Sequence, residues 1–124
     1  MKIFLLSILS FAGLSASAQL KTIKIEDAAK NVGDSVAFCA KVQSSRYYVQ
    51  VQGKPTVFYF GKPYPNHELS IVIWEKDRKN FAKPVELLYG DAELCIKGKV
   101  LLVDGRPQVV VASPDQVGVQ EEGD

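Results

Sequence analysis

The chain carries one histidine, His67, inside the run PNHE, with a hydroxyl three positions on at Ser70. A nucleophilic hydroxyl needs a base within hydrogen-bond reach, and a structural metal needs three or four convergent ligands. His67 and Glu68 supply only two candidate ligands, side by side. Ser70 lies in an apolar run, and no second histidine exists to serve as its base. The segment VDGRP (residues 103–107) lacks the spacing of a phosphate-cradling loop. These residues imply no catalytic group, no metal and no cofactor, and the expectation is a protein that is not an enzyme.

Flat rings interleaved with cations offer a different chemistry. Arg46, Tyr47, Tyr48 and Lys54 fall in SRYYVQVQGKP (residues 45–55), and Tyr59 falls in TVFYF. Lys62 and Tyr64 fall in GKPYPN, Trp74 ends LSIVIW, and Arg106 follows an Asp-Gly turn. Such a set suits base stacking, worth about 1–3 kcal/mol per base, with phosphate neutralisation beside it. The competing reading for each ring is packing against a helix or across the end of a core. A second basic group, Lys41, Lys97 and Lys99, alternates with Cys39 and Cys95 and reads either as a patch or as an ordinary solvated face.

The N-terminus bears on where this chemistry would operate. Lys2, an apolar run over residues 3–14, and the small-x-small pattern of residues 16–18 predict a secretory signal peptide over residues 1–18, cut before Gln19. The run is too short to span a bilayer, so no membrane span is expected after cleavage. The expected domain is residues 19–120, followed by an acidic disordered tail over residues 121–124. From Gln19 onward, eleven lysines and three arginines meet fourteen acids, and without Glu121, Glu122 and Asp124 the net charge is +3. That is well short of a dedicated duplex binder, although a local stripe can suffice. Export would place Cys39 and Cys95 in an oxidising compartment, periplasmic or extracellular, where a disulfide is the default.

Positioning these groups falls to five short strands. Residues 25–33 predict a short helix, with Glu26 and Asp27 at its positive end and Gly33 at its close. Residues 34–44 alternate, with Val36, Phe38, Ala40 and Val42 on one face and Ala37, Cys39 and Lys41 on the other. Residues 45–55 read as a long connection able to extend the flanking strands. Residues 56–60 form a second strand, Phe58 and Phe60 inward, Val57 and Tyr59 outward. Pro63 and Pro65 keep residues 61–68 out of any ladder. Residues 69–74 form a third strand, and Pro84 and Gly90 bracket a short helix within residues 75–91. Residues 92–113 form a hairpin turning at Asp104-Gly105. Five strands with a helix between the third and fourth predict a five-stranded Greek-key barrel, the OB-fold, rather than a small sandwich.

The stretches IEDAAKNVGDSVAFCAKV, TVFYFGKPYPNHELSIVIW, FAKPVELLYGDAELCIKGKV and GRPQVVVASPDQV resemble small exported bacterial OB-fold domains of nucleic-acid-binding type. The similarity covers most of residues 23–117 and departs from the pattern at Ala40, where Gly is usual, and at Tyr59, where a small polar residue is usual. It implies the same barrel and, at the level of analogy, a binding module.

In that barrel the first and fourth strands are antiparallel neighbours, so Cys39 and Cys95 would face each other on the outward phase. A redox-active pair or two free thiols are the rivals. The ligand surface of the fold is the face of the second and third strands. It would collect Arg46, Tyr47, Tyr48, Lys54, Tyr59, Lys62, Tyr64, Trp74 and Arg106 for single-stranded nucleic acid or an oligonucleotide. An envelope protein partner or a small ligand could use the same groove, and oligomeric state is not legible.

Overall fold

A computed structural model describes residues 20–120. The expected signal peptide and the acidic tail lie outside the described residues, as does Gln19. Seven strands form the sheet: β1 (Lys21–Thr22), β2 (Ser35–Tyr47), β3 (Thr56–Phe60), β4 (Leu69–Ile73), β5 (Glu93–Val103), β6 (Arg106–Val110) and β7 (Val117–Gln120). Five of them close a barrel in the order β2-β3-β4-β6-β5, with β5 returning to β2. All its neighbouring pairs are antiparallel except β4–β6, which is parallel. This is the OB-like all-β barrel that the strand order predicts. The two-residue β1 and the four-residue β7 extend it on the outer edges of β2 and β5.

β2 runs three residues beyond the expected strand because of a bulge. Val36, Phe38 and Val42 enter the core, as their alternation predicts. Between Val42 and Ser44 the register against β3 shifts by one residue, at Gln43. A bulge puts two residues opposite one and re-aims the side chains beyond it. Residues up to Lys41 pair with β5, and those from Val42 pair with β3, so β2 serves both neighbours in turn. Beyond the bulge the faces exchange. Arg46, opposite Val57, lies on the outer face, and Tyr47, opposite Thr56, lies on the inner phase.

The core joins Phe38, Phe58, Phe60, Ile71, Ile96 and Val109 with other apolar side chains of every barrel strand. Phe38 and Phe60 meet edge to face at 5.4 Å. One end of this core lies against Ala28, on a 3-10 helix over Ile25–Asn31. Gly33 then turns the chain at φ +92°. The single helix expected between the third and fourth strands is two short ones, α1 (Glu75–Arg78) and α2 (Val85–Tyr89). Pro84 has the extended ψ of 130° at the cap of α2, which helical continuation from α1 would not allow. From α2, Val85 and Tyr89 enter the core, and Tyr89 meets Phe58 edge to face at 6.1 Å.

Cys39 and Cys95 stand opposite each other in the β2–β5 ladder and form a disulfide on the outward face, α-carbons 4.0 Å apart. Lys41, Lys97 and Lys99 are exposed around it. At the far end of β5, Asp104 and Gly105 turn the hairpin with φ +50° and +76°, two successive left-handed residues as a tight Asp-Gly turn requires.

Candidate functional site

The strand register lays out the outer face residue by residue. Tyr59 stands opposite Ser44 of β2 and Ser70 of β4; Ser70 stands opposite Gln108 of β6, and Gln108 opposite Leu101 of β5. One side chain from each barrel strand therefore forms a single row. A second row runs from Arg46 through Val57 and Val72 to Val110.

Tyr59 has the outward phase expected of it, but it is only 6% exposed. Val57, Tyr59 and Val72 form a small second core, with Tyr48, Trp74 and Val110 packed against it. Two loops cover this face. From the β2–β3 connection, Tyr48 bonds the Tyr59 hydroxyl, oxygen to oxygen at 2.5 Å. From the β3–β4 connection, Tyr64 and His67 meet the Tyr59 ring at 5.3 and 4.6 Å. Burial first, and the Tyr48 hydrogen bond second, push the Tyr59 hydroxyl far above the usual phenol range. Tyr59 is thus closed to a stacking base, and the expectation that it presents its ring to ligand is corrected. Outward phase gives solvent exposure only where no loop folds back over the strand.

The other expected residues separate into three groups. Arg46, Lys54, Lys62 and Tyr64 are exposed, Tyr64 at 61%. Trp74 and Tyr48 are half-buried, each with a structural occupation. The Trp74 ring lies over Gly53, so that a β-carbon built there would come within 2.9 Å of it, and Gly53 also needs its φ of +82°. Arg46 sits 5.1 Å over the Tyr48 ring.

Tyr47 is drawn away from the ligand surface, and Arg106 is engaged by backbone carbonyls at its edge. Tyr47 lies on the opposite phase from Tyr48, with the Arg78 guanidinium 4.3 Å over its ring. Arg106 donates from Nη1 to the Pro65 carbonyl and from Nη2 to the His67 carbonyl. It thereby ties the 61–68 loop to the hairpin instead of pointing at a phosphate. Lys54 pairs with Glu75 at 3.8 Å. Among the described residues no continuous positive band crosses the face: its middle is valine, tyrosine, serine and glutamine.

The structure brings out residues whose part was not legible in the sequence. A cleft of about 270 Å³ opens between the 61–68 loop and the β5–β6 hairpin, lined by Tyr59, Tyr64, His67, Ser70, Arg106 and Gln108, among others. Gln108 Nε2 donates to Ser70 Oγ at 3.2 Å. His67 is 7% exposed and stacks on Tyr64 with ring centres 5.8 Å apart and planes 21° from parallel. Its Nδ1 is buried and has no hydrogen-bond partner among the described residues. The outward positions of β4 and β6 were the available signal for Ser70 and Gln108, but pairing them required knowing that these strands are parallel neighbours. Among the described residues no group of three or more His, Cys, Asp and Glu side chains gathers as metal ligands would.

Burial, and then the nearby Arg106 guanidinium, hold the His67 imidazole below its ordinary value of 6.5. Below that pH the unfolded chain takes up a proton that the folded chain still refuses. Stability therefore falls as the pH drops through 6.5, and levels off once the folded imidazole also protonates. Urea unfolding at pH 8 and pH 5 should show a larger loss for the wild-type chain than for His67→Phe. Equal losses in the two would mean that His67 takes no part in the acid response.

No family model matches this sequence, and no curated protein matches it. Among solved structures, the fold resembles part of a chain described as an aspartyl-tRNA synthetase from Leishmania major Friedlin, with TM-score 0.50 and 13% sequence identity. The likeness covers 87% of this chain and 22% of that one. At this identity it bears on the barrel alone.

Proposed function

We propose that this barrel is a non-enzymatic binding module for short single-stranded nucleic acid or an oligonucleotide, acting after export from the cytoplasm. The observation that carries the reading is Tyr64, an exposed ring held over the rim of the β3–β4 face by its stack on His67. Beside it, Lys62 is exposed, and Arg46 and Lys54 are exposed at the far side of the face. The solved neighbour is described as an aspartyl-tRNA synthetase, which agrees with this reading at the level of fold. Export is supported by the Cys39–Cys95 bridge, since such bonds persist in oxidising compartments. No helix among the described residues is long and apolar enough to cross a membrane.

Affinity on this surface rests more on stacking than on charge. With at most three exposed cations at the rim, log affinity should fall with log salt at a slope no steeper than about −2, given roughly 0.7 per phosphate contacted on a single strand. Titrating a fluorescein-labelled single-stranded oligonucleotide from about 50 mM salt upward checks this, because charge is least screened at the start. Tyr64→Ala should weaken binding by about 1–3 kcal/mol. An absence of binding at the lowest salt would sink the reading.

A second reading has an observation of its own. Leu101, Leu102 and Val103 are all exposed on the hairpin that borders the cleft, Leu102 at 57%. Adjacent exposed apolar side chains favour a protein partner, and that reading gains if the oligonucleotide does not bind.

A further inference from the structure

Building on the nucleic-acid reading, we infer that the cleft between the 61–68 loop and the β5–β6 hairpin seats a single nucleobase, read at its hydrogen-bonding edge by Gln108, which Ser70 orients, and flanked by Tyr64. At about 270 Å³ the cleft has room for one planar heterocycle and not for a stack of them.

Its chemistry selects a base over a phosphate. Among the described residues Arg106 is its only cation, and two of its five N–H donors go to the Pro65 and His67 carbonyls. Asp104 stands in the lining and repels an anion. The remaining polar groups are neutral and directional. A carboxamide offers two donors and an acceptor, and a hydroxyl offers one donor and an acceptor. Gln108 uses one N–H on Ser70, which is only 3% exposed, leaving its second N–H and its oxygen without a protein partner among the described residues. A base edge presents the same alternation of donors and acceptors.

The wall beside Tyr64 adds an independent sign. The buried Nδ1 of His67 lacks a partner among the described residues, and buried polar atoms left so are uncommon.

The test is an NMR titration of the 15N-labelled full chain with each of the four common nucleoside 5′-monophosphates, with ribose 5-phosphate as the control. Saturable shifts of the Gln108 side-chain amide and the Ser70 and Tyr64 signals with nucleotides, and none with ribose 5-phosphate, are expected. Gln108→Leu should weaken the preferred nucleotide by about tenfold or more and level the preference among the four. Ser70→Ala provides a smaller change should the first variant fail to fold, and should act in the same direction. Equal shifts from ribose 5-phosphate, or shifts confined to residues outside the cleft, would overturn the inference. Nucleotide binding that is absent while the labelled oligonucleotide still binds would overturn it too and leave the broader reading in place. Absence of both would remove the two together.

Discussion

Replacing Cys39 and Cys95 with serine together should lower the unfolding free energy by about 4 kcal/mol, the largest stability effect expected of any change considered for this chain. The two cysteines are 56 positions apart, so their bond removes a long closed loop from the freedom of the unfolded chain. Chain entropy for that length gives about 4 kcal/mol, and removing a native bridge from a small exported domain typically costs about 2–5. Small domains are stable by about 5–15 kcal/mol in all, so the loss takes from about a quarter to most of the margin. The native state should keep its topology when it folds at all, since seven registered residue pairs still join β2 to β5. Denaturant unfolding with and without reductant measures the effect. The denaturant dependence should steepen as the unfolded chain expands, and a loss below about 1 kcal/mol would refute the loop-closure account.

Arg78→Ala should cost about 2–3 kcal/mol, and Arg78→Lys should recover only a minor part. The guanidinium joins four elements at once. Nη1 donates to the hydroxyl of fully buried Thr56 at 2.7 Å, and Nη2 reaches both Glu86 oxygens at 3.0 and 2.8 Å. Its plane covers the Tyr47 ring. The arginine side chain is only 18% exposed, so truncation leaves the Thr56 hydroxyl and the Glu86 carboxylate without their donor in a poorly solvated place. Glu86 at 38% recovers part of its hydration, which holds the figure below that of a fully buried pair. Lysine supplies one point charge and cannot span a hydroxyl, a carboxylate and a ring together. Urea midpoints of the two variants decide it. A lysine variant as stable as wild type would show that charge alone matters here.

Arg78 also marks where reading the residues in order stops being enough. The alternation of residues 35–42 and of residues 93–100, the Asp-Gly turn and the proline-broken loop are local patterns, and each has the structure it predicts. The disulfide followed from strand order, because first and fourth neighbours in this barrel must be antiparallel. The bulge at Gln43 has no comparable signature, since nothing in QSSRYY says where β2 leaves β5 and takes up β3. With the phase lost there, Tyr47 and Tyr48 looked equivalent, although they lie on opposite faces. Tyr59 went astray differently. Its phase was right, and its burial came from two loops whose path depends on contacts far apart in the chain. Arg106, expected on the ligand surface, went astray for the same reason: an arginine is equally suited to phosphate, carboxylate or carbonyl, and only the fold says which of them lies in reach.

The parallel β4–β6 pairing has a further consequence. A closed ring of strands has several seams, and they differ in strength. Between β2 and β5 the seam has seven registered pairs and a covalent bond, whereas between β4 and β6 it has three pairs of the weaker parallel kind. Thermal breathing should therefore part the barrel first at β4–β6, the seam whose outer surface carries Ser70 and Gln108. A guest that fixes Gln108 on its Ser70 partner would act as a stitch across that gap. Occupancy and resistance to opening then become one quantity, and the ring would be tightened by its ligand at the place where the chain by itself is loosest.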